Sequence, residues 1–204
     1  MSDSPVPLPF SAPLRAVQNV LAHFHNRGIV IGGIAVSLLG KERATADIDA
    51  IVLLTLDDIP DLLAVAAREG LSPRIADVAT FARRSRVVLL QHEPSGINVD
   101  LSLGALPFES QAVARSTFWV EGDLRIPLPT PEDLVILKAV AHRSKDRDDI
   151  EGIMTRHPGL DWRRIEHWVR QFADVLEMPE LWTDLAQLRD QRQSGSRKDT
   201  KSQR

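Results

Sequence analysis

Ile31-Gly32-Gly33-Ile34-Ala35-Val36 and, with thirteen residues between Gly33 and Asp47, Asp47-Ile48-Asp49-Ala50-Ile51-Val52-Leu53-Leu54 are the two pieces of sequence whose reading decides the fold. The first begins as a strand over Gly28–Ile31, turns at a glycine pair and continues as a short helix over 34–39. Two glycines between a strand and a helix let the backbone come close to a bulky anion, and the amides at the helix start favour phosphate. A plain turn is the other reading of the same pair. The second piece is a strand over 47–54. Residues i and i+2 of a strand leave the same face, so Asp47 and Asp49 point one way and Ile48 the other. Two carboxylates this close raise each other's proton affinity. The pair is tolerated where a cation lies between them or where both face water, and the apolar run that follows, Ala50 to Leu54, argues for a buried strand and hence for the cation.

A third acid joins them by pattern. In Ile97-Asn-Val-Asp-Leu-Ser-Leu103 the apolar residues alternate with Asn98, Asp100 and Ser102, the period of a strand with one buried face. If this strand lies beside 47–54, Asp100 meets Asp47 and Asp49, and three carboxylates are able to hold two divalent ions about 4 Å apart for in-line phosphoryl chemistry. Oxygen ligands without His or Cys favour Mg2+ or Mn2+ over zinc. The alternative is the polar face of an edge strand, and an open edge at 97–103 would suit dimerisation.

Working outward, Leu14, Val17, Val20, Leu21 and Phe24 recur at helical spacing and stop before Gly28, placing His23 and His25 on a first helix. Helices are expected over 58–69, 77–84 and 107–115. Strands are expected over 86–92 and 97–103, joined by a hairpin at Glu93-Pro-Ser-Gly96, and a small hairpin over 117–127. The last third is helical. Thr130-Pro-Glu-Asp133 carries a capping residue, a proline at the first helical position and an acid three residues on. A helix follows to about 143, another begins near Lys145, and two more cover 161–176 and 179–191. On one helical stripe Lys138, His142, Lys145 and Asp149 are polar, while Leu134, Leu137 and Val140 form the buried side. The expected fold class is α/β (α+β): a small mixed sheet flanked by helices over 13–129, then a C-terminal helical unit over 130–190. Residues 1–12 read as a Pro-rich lead-in, and 191–204, without an apolar anchor, as a disordered tail.

The whole chain is ordinary in composition: 204 residues, 43% hydrophobic, 26% charged, net charge -3. Such a balance singles out no charged partner. Residues 190–204 alone carry a net +3, leaving -6 for the rest; that end either touches nucleic acid or is simply solvated. No cysteine is present, which excludes disulfides and thiolate metal sites. The proline-rich start is unlike a signal peptide, and no apolar run approaches the roughly 20 residues of a membrane helix. The chain therefore reads as cytoplasmic, without a membrane partner. The six histidines show no metal-ligand spacing. Trp162 and Trp168 read as packing in the helical unit.

Ile31-Gly-Gly, Asp47-Ile-Asp49 and Asp100 on an alternating strand together resemble the nucleotidyltransferase superfamily related to DNA polymerase beta. The context Thr45-x-Asp-Ile-Asp49, with Arg143-Ser-Lys145-Asp146-Arg-Asp-Asp149-Ile150 further on, is most similar to the minimal AbiEii-type members, many of them toxins of toxin–antitoxin systems. The resemblance covers 28–54 and 96–103 closely and 130–154 more loosely. It implies that Gly32 and Gly33 cradle the triphosphate of a nucleoside triphosphate such as ATP, and that Asp47, Asp49 and Asp100 bind the metals, with Asp100 also able to take the acceptor's proton. It further implies that Lys138 and Lys145 counter developing charge and that Asp146 and Asp149 complete the nucleotide site. The acceptor would be RNA, transfer RNA included, or protein, and an antitoxin protein would be a partner. Gly33 stands where many polymerase-like members have serine, so a hydroxyl contact to phosphate is missing. Lys41 and Arg43 lie between turn and acids, either reaching phosphate or serving as loop charges. A rival reading keeps the fold but drops catalysis, leaving a nucleotide sensor or partner-binding module.

Overall fold

The computed structural model describes residues 10–202, with side chains to Arg192. Most of the lead-in expected over 1–12 thus lies outside the described residues. The chain divides between Thr130 and Pro131 into two compact units.

The first unit is an α/β layer. Helix α1 (Ser11–His23) buries Leu14, Val17, Val20 and Leu21 and ends where His25 and Asn26 take positive φ angles of 57° and 55°. His25 therefore sits in the turn after the helix, not on it. Strand β1 (Gly28–Ile31) leads directly into α2 (Gly32–Leu39), so the helix begins at the glycine pair itself, two residues earlier than its apolar pattern suggests. Strand β2 (Asp47–Val52) is followed by a single tight turn at Leu56–Asp58, then α3 (Ile59–Arg68), β3 (Leu71–Pro73) and α4 (Val78–Ser85). Strands β4 (Val87–His92) and β5 (Ile97–Leu103), helix α5 (Pro107–Ala114) and the two-stranded ribbon β6 (Thr117–Glu121) and β7 (Leu124–Leu128) complete it. Strand β3 escaped the sequence reading because three residues are too few to show a period.

The main sheet runs β1-β2-β5-β4-β3. Only β2 and β5 are parallel; the other neighbours are antiparallel. Strand β5 is therefore central, which overturns both the edge-strand reading of Asp100 and the open dimerisation edge at 97–103. Its alternation arises because one face is packed: Val99, Leu101 and Leu103 lie beside Ile48, Ala50 and Val52 of β2 and Val88 and Leu90 of β4, all buried. The opposite face carries Asp47, Asp49, Asn98, Asp100, Leu89 and Gln91, all half-buried.

The second unit is helical: α6 (Pro131–Ala141), α7 (Ser144–Arg156), α8 (Trp162–Leu176) and α9 (Glu180–Ser202). Leu134, Ile136, Ile153, Ile165, Val169 and Leu181 form its centre, each no more than 1% exposed. Asp133 is fully buried and accepts from Arg164 Nε at 2.7 Å. Trp168 and Trp182 are buried, and Arg189 lies over both the Trp162 and Trp182 rings, at 5.5 and 5.6 Å from their centroids, so these tryptophans pack the unit. Helix α9 continues to Ser202, through most of the stretch expected to be unstructured from 191. Adding residues to an existing helix needs no new nucleus, and Gln, Arg and Lys are good helix formers. No helix among the described residues is long and apolar enough to cross a membrane.

Candidate active site

The parallel pairing of β2 with β5 sets Asp47 opposite Asn98 and Asp49 opposite Asp100. Because directly opposed residues share a face, all three acids stand on the half-open side of the sheet. Asp100 feels this crowding. Burial pushes its carboxyl above the ordinary value, the Arg74 guanidinium opposes that, and the Asp47 charge adds to the rise.

The glycine turn abuts the same acids. Gly32 takes φ +65°, and a Cβ there would lie 2.0 Å from Asp49 Oδ2. A Cβ on Gly33 would come within 2.4 Å of Thr45 Oγ1 and 3.1 Å of Arg43 Nη2. Thr45 in turn donates to Asp47 Oδ1 at 3.3 Å and to its carbonyl oxygen at 3.2 Å. The close backbone approach that only glycine permits thus stacks the first turn of α2 against Asp49 and, through Thr45, against Asp47. Arg43 reaches this turn from a loop tied to α2 by Ser37, whose Oγ donates to the Arg43 carbonyl at 3.3 Å. Lys41 is exposed.

Chemically, the acids offer a hard divalent cation oxygen donors on adjacent strands, while the start of α2 beside them favours an anion. Among the described residues no group of three or more Asp, Glu, His or Cys side chains is arranged to hold a metal ion. One carboxylate oxygen of the trio is engaged instead by a cation of the chain: Arg74 Nη2 donates to Asp100 Oδ1 at 2.9 Å. Nothing in the sequence marked Arg74, because it is delivered by the short β3.

The second unit holds the remaining candidates. Lys138 is 3% exposed, and its Nζ lies 3.2 Å from Asp146 Oδ1 and 2.8 Å from Asp149 Oδ2. Asp146 also accepts from the Arg143 backbone and side chain. Burial raises the Asp146 carboxyl, but the bonds from Arg143 and Lys138 outweigh it and hold the group below the usual range. Lys138, Asp146 and Asp149 therefore form one buried cluster that braces α6 against α7. Lys145 is separate, exposed in the first turn of α7. The single helical stripe of Lys138, His142, Lys145 and Asp149 does not exist, because α6 ends at Ala141 and His142 takes φ +49°. Leu137 and Val140, expected to be buried, are half-buried. His142 Nε2 lies 2.9 Å from Asp184 Oδ2 on the wall of a cavity of about 420 Å3, which Leu181, Leu185 and Arg143 also line.

Comparison with known proteins bears on the fold and the family. Two structures of the antibiotic-resistance factor ANT(2'')-Ia share the fold. One is a solution structure, covering 83% of this chain and 96% of that one at 14% identity and a TM-score of 0.51. The other is a crystal complex with adenylyl-2''-tobramycin, covering 81% and 99% at the same identity and TM-score. No curated protein sequence matches the chain. Residues 14–186 match the family described as nucleotidyltransferase of unknown function (DUF6036). With that match spanning most of the chain, the chain belongs to this family of nucleotidyltransferases.

Proposed function

We propose that the protein transfers a nucleoside monophosphate from a nucleoside triphosphate, ATP included, to an acceptor hydroxyl with release of pyrophosphate. The observation that carries this reading is the packing of Gly32 against the Asp49 carboxylate, with Asp47 and Asp100 on the same face. Gly32 and Gly33 receive the triphosphate on the amides of α2. Asp47, Asp49 and Asp100 hold Mg2+ or Mn2+, which supplies charge neutralisation at the phosphoryl group when bound. Asp100, half-buried and lifted in proton affinity, is suited to accept the acceptor's proton. Arg43, beside the glycine turn, offers positive charge to phosphate oxygens. Lys138 contributes by holding Asp146 and Asp149 in place.

The acceptor we favour is RNA, transfer RNA included, or protein, and the role a toxin restrained by an antitoxin protein in the cytoplasm. What supports this is the AbiEii-like run Lys145-Asp146-x-x-Asp149. A small-molecule hydroxyl is the second reading, favoured by the fold shared with ANT(2'')-Ia, whose complex holds adenylyl-2''-tobramycin.

Incubating the protein with Mg2+ and each labelled nucleoside triphosphate in turn, with total RNA, cell extract or an aminoglycoside, separates these acceptors. Label moves onto one of them with the native protein and not with Asp47→Ala/Asp49→Ala. No transfer, together with no binding of nucleotide or Mn2+ by calorimetry, would leave a fold retained for partner binding.

A further inference from the structure

Arg74 belongs to no motif of the chain, yet it touches the third acid. It follows β3, and its backbone N–H donates to the Leu89 carbonyl at 3.0 Å. Leu89 lies opposite Asp100, and Asp100 opposite Asp49. This puts Leu89, Asp100 and Asp49 in one row across β4, β5 and β2, with Arg74, just past β3, at its end. The Arg74 side chain spans Leu89 to reach Asp100 Oδ1 at 2.9 Å, and the two side chains are 28% and 27% exposed.

We propose that Arg74, through its ion pair with Asp100, competes with a divalent ion for that carboxylate and thereby sets the affinity of the site for metal. The proposal rests on the three acids being a metal site. A guanidinium keeps its charge at any working pH, so Arg74 stays a paired cation for the half-buried Asp100. An arriving divalent cation meets like charge from Arg74 and finds one Asp100 oxygen already engaged. Arg74 is long and partly exposed, so it is able to release Asp100 and turn to solvent or to an incoming phosphate. Arg74 is in this sense a positioning residue, acting through Asp100.

The test is Mn2+ binding, by calorimetry and by the electron-spin signal of free Mn2+, for wild type, Arg74→Gln, Arg74→Lys and Asp47→Asn/Asp49→Asn. Arg74→Gln should bind Mn2+ about two- to fivefold tighter than wild type, the scale of one partly exposed ion pair removed. Arg74→Lys, keeping the charge, should stay near wild type, and the double Asn variant should lose binding. The metal-free Arg74→Gln protein should melt below wild type and gain more on adding Mn2+. Equal or weaker binding by Arg74→Gln, with wild type still binding through its acids, overturns this proposal and leaves the metal reading standing. Absence of binding in wild type and Arg74→Gln alike overturns both.

Discussion

Gly32→Ala is the sharpest probe of the candidate site. Gly32 sits at φ +65°, and a Cβ there would come 2.0 Å from Asp49 Oδ2 and 2.9 Å from Asp49 Cγ. The left-handed backbone alone costs a non-glycine residue about 1–2 kcal/mol. The carboxylate must also retreat by more than about 1 Å to restore ordinary contact, and a displacement of that size at a reacting centre costs about 100-fold in rate. Gly96→Ala separates the two effects. Gly96 has φ +68° in the hairpin between β4 and β5, and nothing lies within 4 Å of its added Cβ. Both variants should therefore lose about 1–2 kcal/mol in urea unfolding, or roughly 2–8 °C in melting temperature for a chain of this size. Only Gly32→Ala should lose nucleotide binding by calorimetry and label transfer from the triphosphate, by about 100-fold. Equal transfer by the two alanine variants would refute the argument that the turn and Asp49 form one site.

Two further outcomes test the rest of the molecule. Lys138→Met leaves Asp146 and Asp149 facing each other at 1% and 5% exposure without their shared cation. That should cost about 3–5 kcal/mol in urea unfolding, whereas Lys145→Met, on an exposed side chain, should fall within about 0.5 kcal/mol of wild type. Stability should also fall with acid in two stages. Burial holds His92 below its ordinary pKa, opposed by Glu93, so the unfolded chain protonates first and stability drops as pH falls below about 6.5. Asp146, held low, adds a second loss as pH falls below about 4. His92→Phe should flatten the first stage in denaturation curves taken between pH 7.5 and 5.

Much of the fold was legible because short-range chemistry wrote it. The strict alternation from Ile97 to Leu103 reflects one packed face, and the acidic positions 47 and 49 share a face by the period of a strand. The glycine pair marked a turn that no side chain tolerates, and the structure adds the reason: Asp49 and Thr45 lie where the Cβ atoms would be. The capping pattern Thr130-Pro-Glu-Asp133 likewise marked the start of α6 at Pro131.

Tertiary structure decided what pairing and burial decide. Alternation cannot tell a central strand from an edge, so only the β2–β5 register brings Asp100 opposite Asp49. Three-residue β3 carries no periodic signal, so Arg74 was invisible until the sheet order placed it one strand beyond Leu89. Lys138 looked like a free cation because sequence spacing records neighbours along a helix. Its burial between Asp146 and Asp149 depends on the break after Ala141, where α7 turns back against α6. Local pattern determined which residues are candidates for the site; long-range strand register and helix packing determined which of them meet.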